Sequence, residues 1–218
     1  MQNKLEEQGF DNVITVPNFK DITPLREDEI KYYHKEPLEF CIFSRILKQK
    51  GIGEAIRACD RLNKEAGRSV CTLDIYGPVE DGYQEEFSCL CQEYNSFVKY
   101  KGVADPSKSV EALKGYYMLL FPTLFYTEGV PGTIIDAFSA GVPVLASEWE
   151  SYSTVLSEKD SITYSFGDNE DLYQKLKYCT ENVDTINEYR KECLKAADRF
   201  SMNTAVAQIW DLIYSKRK

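Results

Sequence analysis

Several features that would direct this chain to a membrane or to a nucleic acid are missing from its sequence. No apolar stretch reaches the 18 residues from which a membrane-spanning helix is inferred. The first residues carry neither the basic start nor the apolar run of a secretory signal. Acidic residues outnumber basic ones by 35 to 26, for a formal net charge of −9. Because nucleic acids attract a basic face, we predict a cytoplasmic protein without a nucleic-acid partner, whose only membrane contact would be peripheral and made through a partner domain.

Residues that bind metals are also few. The chain has a single histidine, His34, and seven cysteines. Cys89 and Cys91 have no second cysteine pair to complete a structural zinc site, so we predict no metal and no cofactor. Four other cysteines fall in apolar patterns where cysteine packs as a small core residue: Cys41, Cys59, Cys71 and Cys193.

Two catalytic motifs begin in the sequence but are incomplete. Gly51-Ile52-Gly53 opens like a dinucleotide-binding fingerprint, yet Ile56 stands where the third glycine is required. Residues 137–141 approximate the nucleophile elbow of a hydrolase, but Ser139 falls late in a predicted helix instead of on a turn. These gaps argue against an NAD enzyme and against a serine hydrolase.

From Leu38 onward, short apolar runs alternate with longer amphipathic ones. This alternation is typical of βαβ units and predicts an α/β fold, a Rossmann-like parallel sheet flanked by helices. Beyond Asp168 the apolar residues recur only at helical intervals, so the chain should end in helices. The predicted strands are residues 38–43, 70–76, 97–100, 116–121, 142–146 and 162–166.

The sequence before the first strand has a different character. Residues 19–37 are charged and rich in turn-forming residues, which predicts a linker. Residues 1–18 would then be a remnant of a preceding domain or an interdomain segment, and residues 38–218 the main domain.

Ligands of open parallel sheets bind beyond the carboxyl ends of the strands, so the loops after the predicted strands form the candidate site. They contain cations, glycines and two carboxylates, a mixture that fits a diphosphate with attached sugars. Cations and free helix N–H groups meet the phosphates, while carboxylates accept hydroxyl protons. The loops are residues 44–51, 77–78, 102–103, 122–133 and 147–148.

The segment from Glu128 to Asp136 carries the strongest signal. A strand ends, the chain passes through Gly129 and Gly132, and a helix begins with free N–H groups at the ligand edge of the sheet. The two acids are eight positions apart, so they can hold separate parts of one ligand. The structural alternative is that Glu128 only stabilises the positive helix end and that Asp136 is solvated.

Arg45 and Lys50 follow the first predicted strand and should reach the same edge. The planar fork of arginine and the point charge of lysine both suit phosphate oxygens. Alone, each would be an ordinary surface cation. Placed opposite the helix start that follows Glu128, the two cations predict an anion site.

Five segments in chain order resemble the C-terminal domain of the retaining family-four glycosyltransferases of the GT-B fold. The resemblance runs from residue 13 to the end, and its most specific part is a glutamate, seven residues and an acid, followed by a small-Gly-x-Pro-Val strand. The segments are Ser44-Arg45 with Lys50-Gly51, Tyr76-Gly77, Lys101-Gly102-Val103, Pro122 with Glu128 to Ala137, and Ala140 to Val144.

The resemblance implies a role for each candidate residue. Arg45 and Lys50 would bind the donor diphosphate and stabilise charge on the departing nucleotide. Glu128 would contact hydroxyls of the transferred sugar, and Asp136 the ribose. The remaining donor-binding positions that the resemblance implies are the loops framing the base and the backbone at the helix start: Gly77, Val103, Gly129, Val130, Pro131, Gly132, Thr133 and Ile134.

Two features depart from the family. Asp136 stands where the family usually has glutamate, so its carboxylate reaches less far. The family's acceptor-binding N-terminal domain has no counterpart beyond residues 13–18, and we expect it to act in cis or in trans. The predicted function is sugar transfer from a nucleotide diphosphate sugar in surface polysaccharide biosynthesis. A noncatalytic nucleotide-sugar-binding module and half of a sugar-nucleotide epimerase are the alternatives.

Overall fold

Six strands form a sheet at the centre of the protein in the order β3-β2-β1-β4-β5-β6, and every neighbouring pair is parallel. The computed structural model describes residues 5–16 and 18–215. The strands are β1 (Leu38–Phe43), β2 (Cys71–Tyr76), β3 (Val98–Gly102), β4 (Met118–Phe121), β5 (Val144–Ser147) and β6 (Ser161–Tyr164).

Helices connect the strands and cover both faces of the sheet. The predicted α/β Rossmann-like fold with C-terminal helices is therefore confirmed. The α-helices are α1 (Ile52–Ala66), α2 (Gln84–Glu93), α3 (Ser109–Leu113), α4 (Gly132–Ser139), α5 (Asn169–Glu181), α6 (Val183–Ala197) and α7 (Met202–Ser215). Short 3-10 helices lie at Glu27–Glu29, Lys48–Lys50, Pro106–Lys108, Tyr152–Thr154 and Asp198–Phe200.

Alternation along the strands divides the core into two clusters. Phe40 and Ile42 of β1 pack with Ile56 of α1 on one face, while Cys41 between them packs with Phe138 of α4 on the other. All four residues of β4 are buried, as a central strand covered on both faces requires. The four cysteines predicted to be core residues are fully buried.

The strand order places a crevice at one edge of the sheet. The chain runs outward from β1 through β2 to β3, then returns to place β4 on the other side of β1. Connections on the two sides of this switch point diverge, which leaves a crevice beyond the carboxyl ends of the strands. The loops after β1 and β4 border it.

The segment predicted as a linker, residues 19–37, lies against the helices. The backbone N–H of Leu25 donates to the Ser139 carbonyl at 2.8 Å, and Tyr33 is buried with its N–H donating to Asn187 Oδ1 at 3.0 Å. Its role between domains stays a prediction. Of the predicted N-terminal segment, residues 1–4 and Pro17 lie outside the described part of the chain. The resemblance likens residues 13–18 to a strand and a Pro-Asn turn that lead into the second domain, but residues 13–16 form no strand.

None of the helices that the structure describes is both long enough and apolar enough to cross a membrane. The last of them, α7, nevertheless exposes a run of large apolar side chains: Val206, Ile209, Trp210, Ile213 and Tyr214.

Candidate functional site

A cavity of about 560 Å³ opens at the crevice beside β1 and β4. Its volume falls in the range of roughly 300–1,000 Å³ that is usual for ligand pockets. Loops after β1 to β4 and the start of α4 form its walls. The predicted site residues that line it are Arg45, Lys50, Gly77, Val103, Glu128, Pro131, Gly132, Thr133 and Asp136.

The structure does not bring the other three predicted residues to the cavity. Gly129 is exposed in the loop before α4, and Val130 packs against the core cluster. Ile134 is fully buried, and its N–H donates to the Pro131 carbonyl at 3.0 Å. Ile134 faces the sheet because it is an apolar residue in the first turn of a helix packed on that sheet.

Arg45 lines the cavity from the loop after β1, where the residues on either side of it are bonded to the neighbouring strand end. The N–H of Ser44 donates to the Tyr76 carbonyl at 3.1 Å, and that of Ile46 donates to the Pro78 carbonyl at 2.8 Å. Ile46 is fully buried, whereas Arg45 beside it is exposed.

Two glycines let the strand-end loops close on one another. A Cβ atom on Gly77 would lie 1.8 Å from the Ser44 carbonyl oxygen, and one on Gly51 would lie 1.9 Å from the Pro122 carbonyl oxygen. Both residues also have a positive φ, +136° and +68°, a conformation that side chains disfavour. Gly77 therefore allows two backbones to meet at the cavity wall.

Lys50 and Glu128 form an ion pair across the cavity. Lys50 Nζ lies 2.6 Å from Glu128 Oε2, and their side chains are 12% and 20% exposed. The ammonium also lies 5.4 Å and 5.2 Å from the ring centres of Phe121 and Phe125. Arg45 has no ion pair within the described residues. The two predicted cations thus differ, since Lys50 has a counter-charge in the site.

Asp136 forms a second ion pair with a residue that sequence reasoning missed. Its side chain is only 3% exposed, and its two carboxylate oxygens accept from Lys20 Nζ at 2.8 and 2.6 Å. Ser109 Oγ also donates to Oδ1 at 2.8 Å. The structural alternative in which Asp136 is solvated is therefore wrong. It fails because α4 places this position on the face that packs against the domain.

The start of α4 offers backbone donors to the cavity. Pro131 precedes the helix in an extended conformation, and no side chain caps it. The first N–H groups of a helix lack intrahelical acceptors and favour anions. Gly132 and Thr133, which begin the helix, both line the cavity, and Thr133 Oγ1 is buried without a hydrogen-bond partner among the described residues.

A chain of hydroxyl groups supports another wall and was not predicted. Tyr116 donates to Asp74 Oδ2 at 2.7 Å, and the Tyr76 and Tyr116 hydroxyl oxygens are 2.8 Å apart. Burial raises the pKa of Tyr116, and its hydrogen bonds to Tyr76 and Asp74 raise it further. Because Tyr116 gives its proton to Asp74, Tyr76 must donate to Tyr116. These hydrogen bonds hold the Tyr76 ring in the cavity wall.

No group of three or more histidine, cysteine, aspartate or glutamate side chains that could hold a metal ion occurs among residues 5–16 and 18–215.

The sheet order, the crevice at its switch point and the helix start between two acids define a Rossmann-like α/β domain with a ligand crevice at the carboxyl edge of its sheet. The model of the family "Glycosyl transferases group 1" matches residues 38–182. This chain therefore belongs to the group 1 glycosyltransferase family. The resemblance described from the sequence is confirmed.

One curated relative is the amylovoran biosynthesis glycosyltransferase AmsK of Erwinia amylovora. It is 28% identical over 117 residues, which cover 52% of this chain and 28% of AmsK. The match thus spans less than a third of the length of that relative.

Two solved structures share the fold. TarM of S. aureus, determined in a complex that includes UDP, superposes with a TM-score of 0.75 at 17% identity, covering 97% of this chain and 41% of TarM. HepE of Anabaena, determined with UDP-glucose, gives a TM-score of 0.65 at 18% identity, covering 82% of this chain and 49% of HepE. At these identities the likeness establishes the fold alone.

Proposed function

We propose that this chain binds a nucleotide diphosphate sugar in the cavity and forms the donor half of a glycosyltransferase. The observation that carries the proposal is that Arg45, Lys50 and the uncapped start of α4 line one cavity. Cations and free helix N–H groups both favour a diphosphate. The proposal also has the support of family membership and of the UDP and UDP-glucose in the TarM and HepE structures.

The proposed reaction breaks the bond between the anomeric carbon of the sugar and the diphosphate oxygen, while the oxygen of an acceptor hydroxyl bonds to that carbon and its proton passes to the departing diphosphate. Negative charge grows on the departing diphosphate, where Arg45, Lys50 and the N–H groups of α4 would stabilise it. Glu128 would accept hydrogen bonds from sugar hydroxyls and share Lys50 with the diphosphate. The proposal assigns base-framing roles to the loops at Gly77 and Val103.

The proposed reaction uses no metal. The cations that line the cavity would neutralise the diphosphate, which is the role that a divalent ion plays elsewhere. Metal independence is part of the proposal, and removal of divalent ions by a chelator tests it.

We further propose that an acceptor-binding domain works with this chain in cis or in trans. The match to this chain covers only 41% of TarM and 28% of AmsK, so both relatives extend well beyond the matched region. The exposed apolar residues of α7, with Trp210 at 51% and Ile213 at 44% exposure, offer a surface for such a domain. The role of AmsK in amylovoran biosynthesis supports surface polysaccharide biosynthesis as the pathway. Any membrane contact would be peripheral and made through the partner domain.

Calorimetric titration with UDP, GDP and ADP tests the donor site and identifies its base. We expect one of the three to bind, and Arg45→Ala to weaken that binding by roughly 1.5–3 kcal/mol, the worth of a charge-assisted hydrogen bond. Arg57→Ala, which removes an exposed arginine of α1 paired with Glu54, is the matched control and should leave the affinity unchanged. Binding of none of the three nucleotides, or equal affinity of Arg45→Ala and the wild-type chain, would contradict the proposal.

A second assay separates the transferase from its two alternatives. The chain is combined with an acceptor-binding domain, a labelled donor sugar and an acceptor extract. A transferase yields labelled acceptor, a noncatalytic binding module leaves the donor intact, and an epimerase yields an isomeric nucleotide sugar.

A further inference from the structure

Lys20 is the one charged residue of the cavity lining for which the family resemblance offers no role. It lies in the segment before β1, 116 positions from Asp136, yet its ammonium contacts both carboxylate oxygens of that residue. It lines the same cavity as Arg45 and Lys50. The long separation means that the fold specifically brings this third cation to the site.

The backbone of Lys20 is held in place independently of its side chain. Its N–H donates to the Phe200 carbonyl at 3.1 Å, and it forms a parallel bridge with Ser201. Two residues earlier, Asn18 Nδ2 donates to the Val130 carbonyl, just before α4, at 3.2 Å. The segment is therefore held at both Asn18 and Lys20, and the bonds to Asp136 fix the position of the ammonium group.

The two members of the pair differ in what they present to a ligand. The Asp136 side chain is 3% exposed and already accepts from Lys20 and Ser109, whereas the Lys20 side chain is 32% exposed. A side-chain carbon placed on Gly132 would lie 3.4 Å from Lys20 Nζ. The ammonium group thus lies beside Gly132, the first residue of α4.

Formal charges in the cavity give Lys20 a further role. The lining includes three cations, Lys20, Arg45 and Lys50, and two carboxylates, Glu128 and Asp136, a net charge of +1. An ammonium has three N–H donors, and the two carboxylate oxygens of Asp136 accept from at most two of them. The remaining donor capacity is available to an anion bound at that start.

We propose that Lys20 is a third cation of the diphosphate subsite and that Asp136 acts as the positioning residue for its ammonium group, in place of a contact with the ribose. This inference rests on the proposed function, since it names a residue of the same donor site. It assigns part of the donor affinity to a segment outside the sheet domain defined by residues 38–218.

The double variant Lys20→Met/Asp136→Asn tests the inference, because it removes both charges and leaves no unpaired carboxylate to repel a phosphate. Affinities for UDP and for uridine are measured by calorimetry and ligand-observed NMR, or for GDP and guanosine, or ADP and adenosine, if the wild-type chain selects that base. We expect a roughly tenfold loss for the diphosphate and less than about a twofold change for the nucleoside.

Three further variants complete the design. Lys20→Arg, which keeps the positive charge, should retain most of the diphosphate affinity of the wild-type chain. Lys31→Met, in the same segment but paired with Glu39 away from the cavity, should leave it unchanged. Asp136→Asn alone should spare nucleoside affinity, which a ribose contact would not. The inference is overturned if the double variant binds the diphosphate as tightly as wild type, or if diphosphate and nucleoside affinities fall by the same factor. A wild-type chain that binds no nucleotide would instead contradict the proposed function.

Discussion

The cavity contains two lysine–carboxylate pairs of equal length and different character. In Lys50–Glu128 both side chains keep some exposure, 12% and 20%. In Lys20–Asp136 the lysine is 32% exposed and the carboxylate 3%. Glu128 precedes α4 in a loop, whereas Asp136 lies one turn inside the helix among buried residues. The comparison teaches that two acids in one motif, eight positions apart, can have different neighbours and therefore different tasks.

Replacing the loop carboxylate should have the largest effect on the reaction. Glu128→Gln should reduce transfer by roughly a hundredfold, as expected for loss of a group that stabilises the transition state. Its affinity for the nucleoside diphosphate should not fall, because Lys50 is freed from its counter-charge. Initial rates in the reconstituted transfer assay and calorimetry with the same preparation measure both quantities.

Glu150→Gln is the control, since Glu150 is an exposed acid at the same edge of the sheet and does not line the cavity. A Glu128→Gln variant that transfers sugar at the rate of this control would remove the distinction between the two pairs.

Replacing the helix carboxylate should instead affect stability. Asp136→Asn leaves Lys20 without its counter-charge in a partly buried place and weakens the bond from Ser109. We expect a loss of about 2 kcal/mol in the free energy of unfolding, less than for a fully buried pair because Lys20 keeps contact with water. Glu128→Gln should cost less, because the Glu128 side chain is 20% exposed against 3% for Asp136, so its loss disturbs a less desolvated position. Urea unfolding of the two variants under identical conditions measures the difference, and equal losses would contradict the contrast.

The smallest expected effect is that of metal removal. If the lysines and Arg45 neutralise the diphosphate, then EDTA should leave the transfer rate within about twofold of its original value. The rate is measured before and after chelation, with a magnesium-restored sample as the reference. A loss of activity that magnesium restores would mean that the lysines and Arg45 do not neutralise the diphosphate without a metal ion.

The fold could be predicted because strand and helix patterns differ over most of the chain. Continuous apolar runs and helical spacing identify the strands and helices, although the strand predicted at residues 142–146 spans Val144–Ser147 in the structure. Boundaries shift because hydrogen-bonded neighbours, and not apolarity alone, decide where pairing begins. The burial of a charged residue could not be predicted from these patterns. Arg190 is fully buried and donates to the carbonyls of Tyr116, Tyr117 and Gly141.

Much of the site was predictable for a topological reason. The carboxyl ends of parallel strands share one edge, so residues just after strands, such as Arg45 and Glu128, must lie near each other. Ion pairing was not predictable, because it depends on side-chain positions within that edge. Lys20 was missed because its surroundings have the composition of a linker and no periodicity. The only local pattern at Lys20 is a lysine two residues after an asparagine, Asn18, and such a pattern is too common to indicate a site.

The most direct test of this account is a crystal structure of the chain with the nucleoside diphosphate that it binds most tightly. The account predicts phosphate oxygens within hydrogen-bonding distance of the Arg45 guanidinium and of the backbone N–H groups of Gly132 and Thr133. A diphosphate that points into solvent, or a nucleotide bound away from the start of α4, would contradict it.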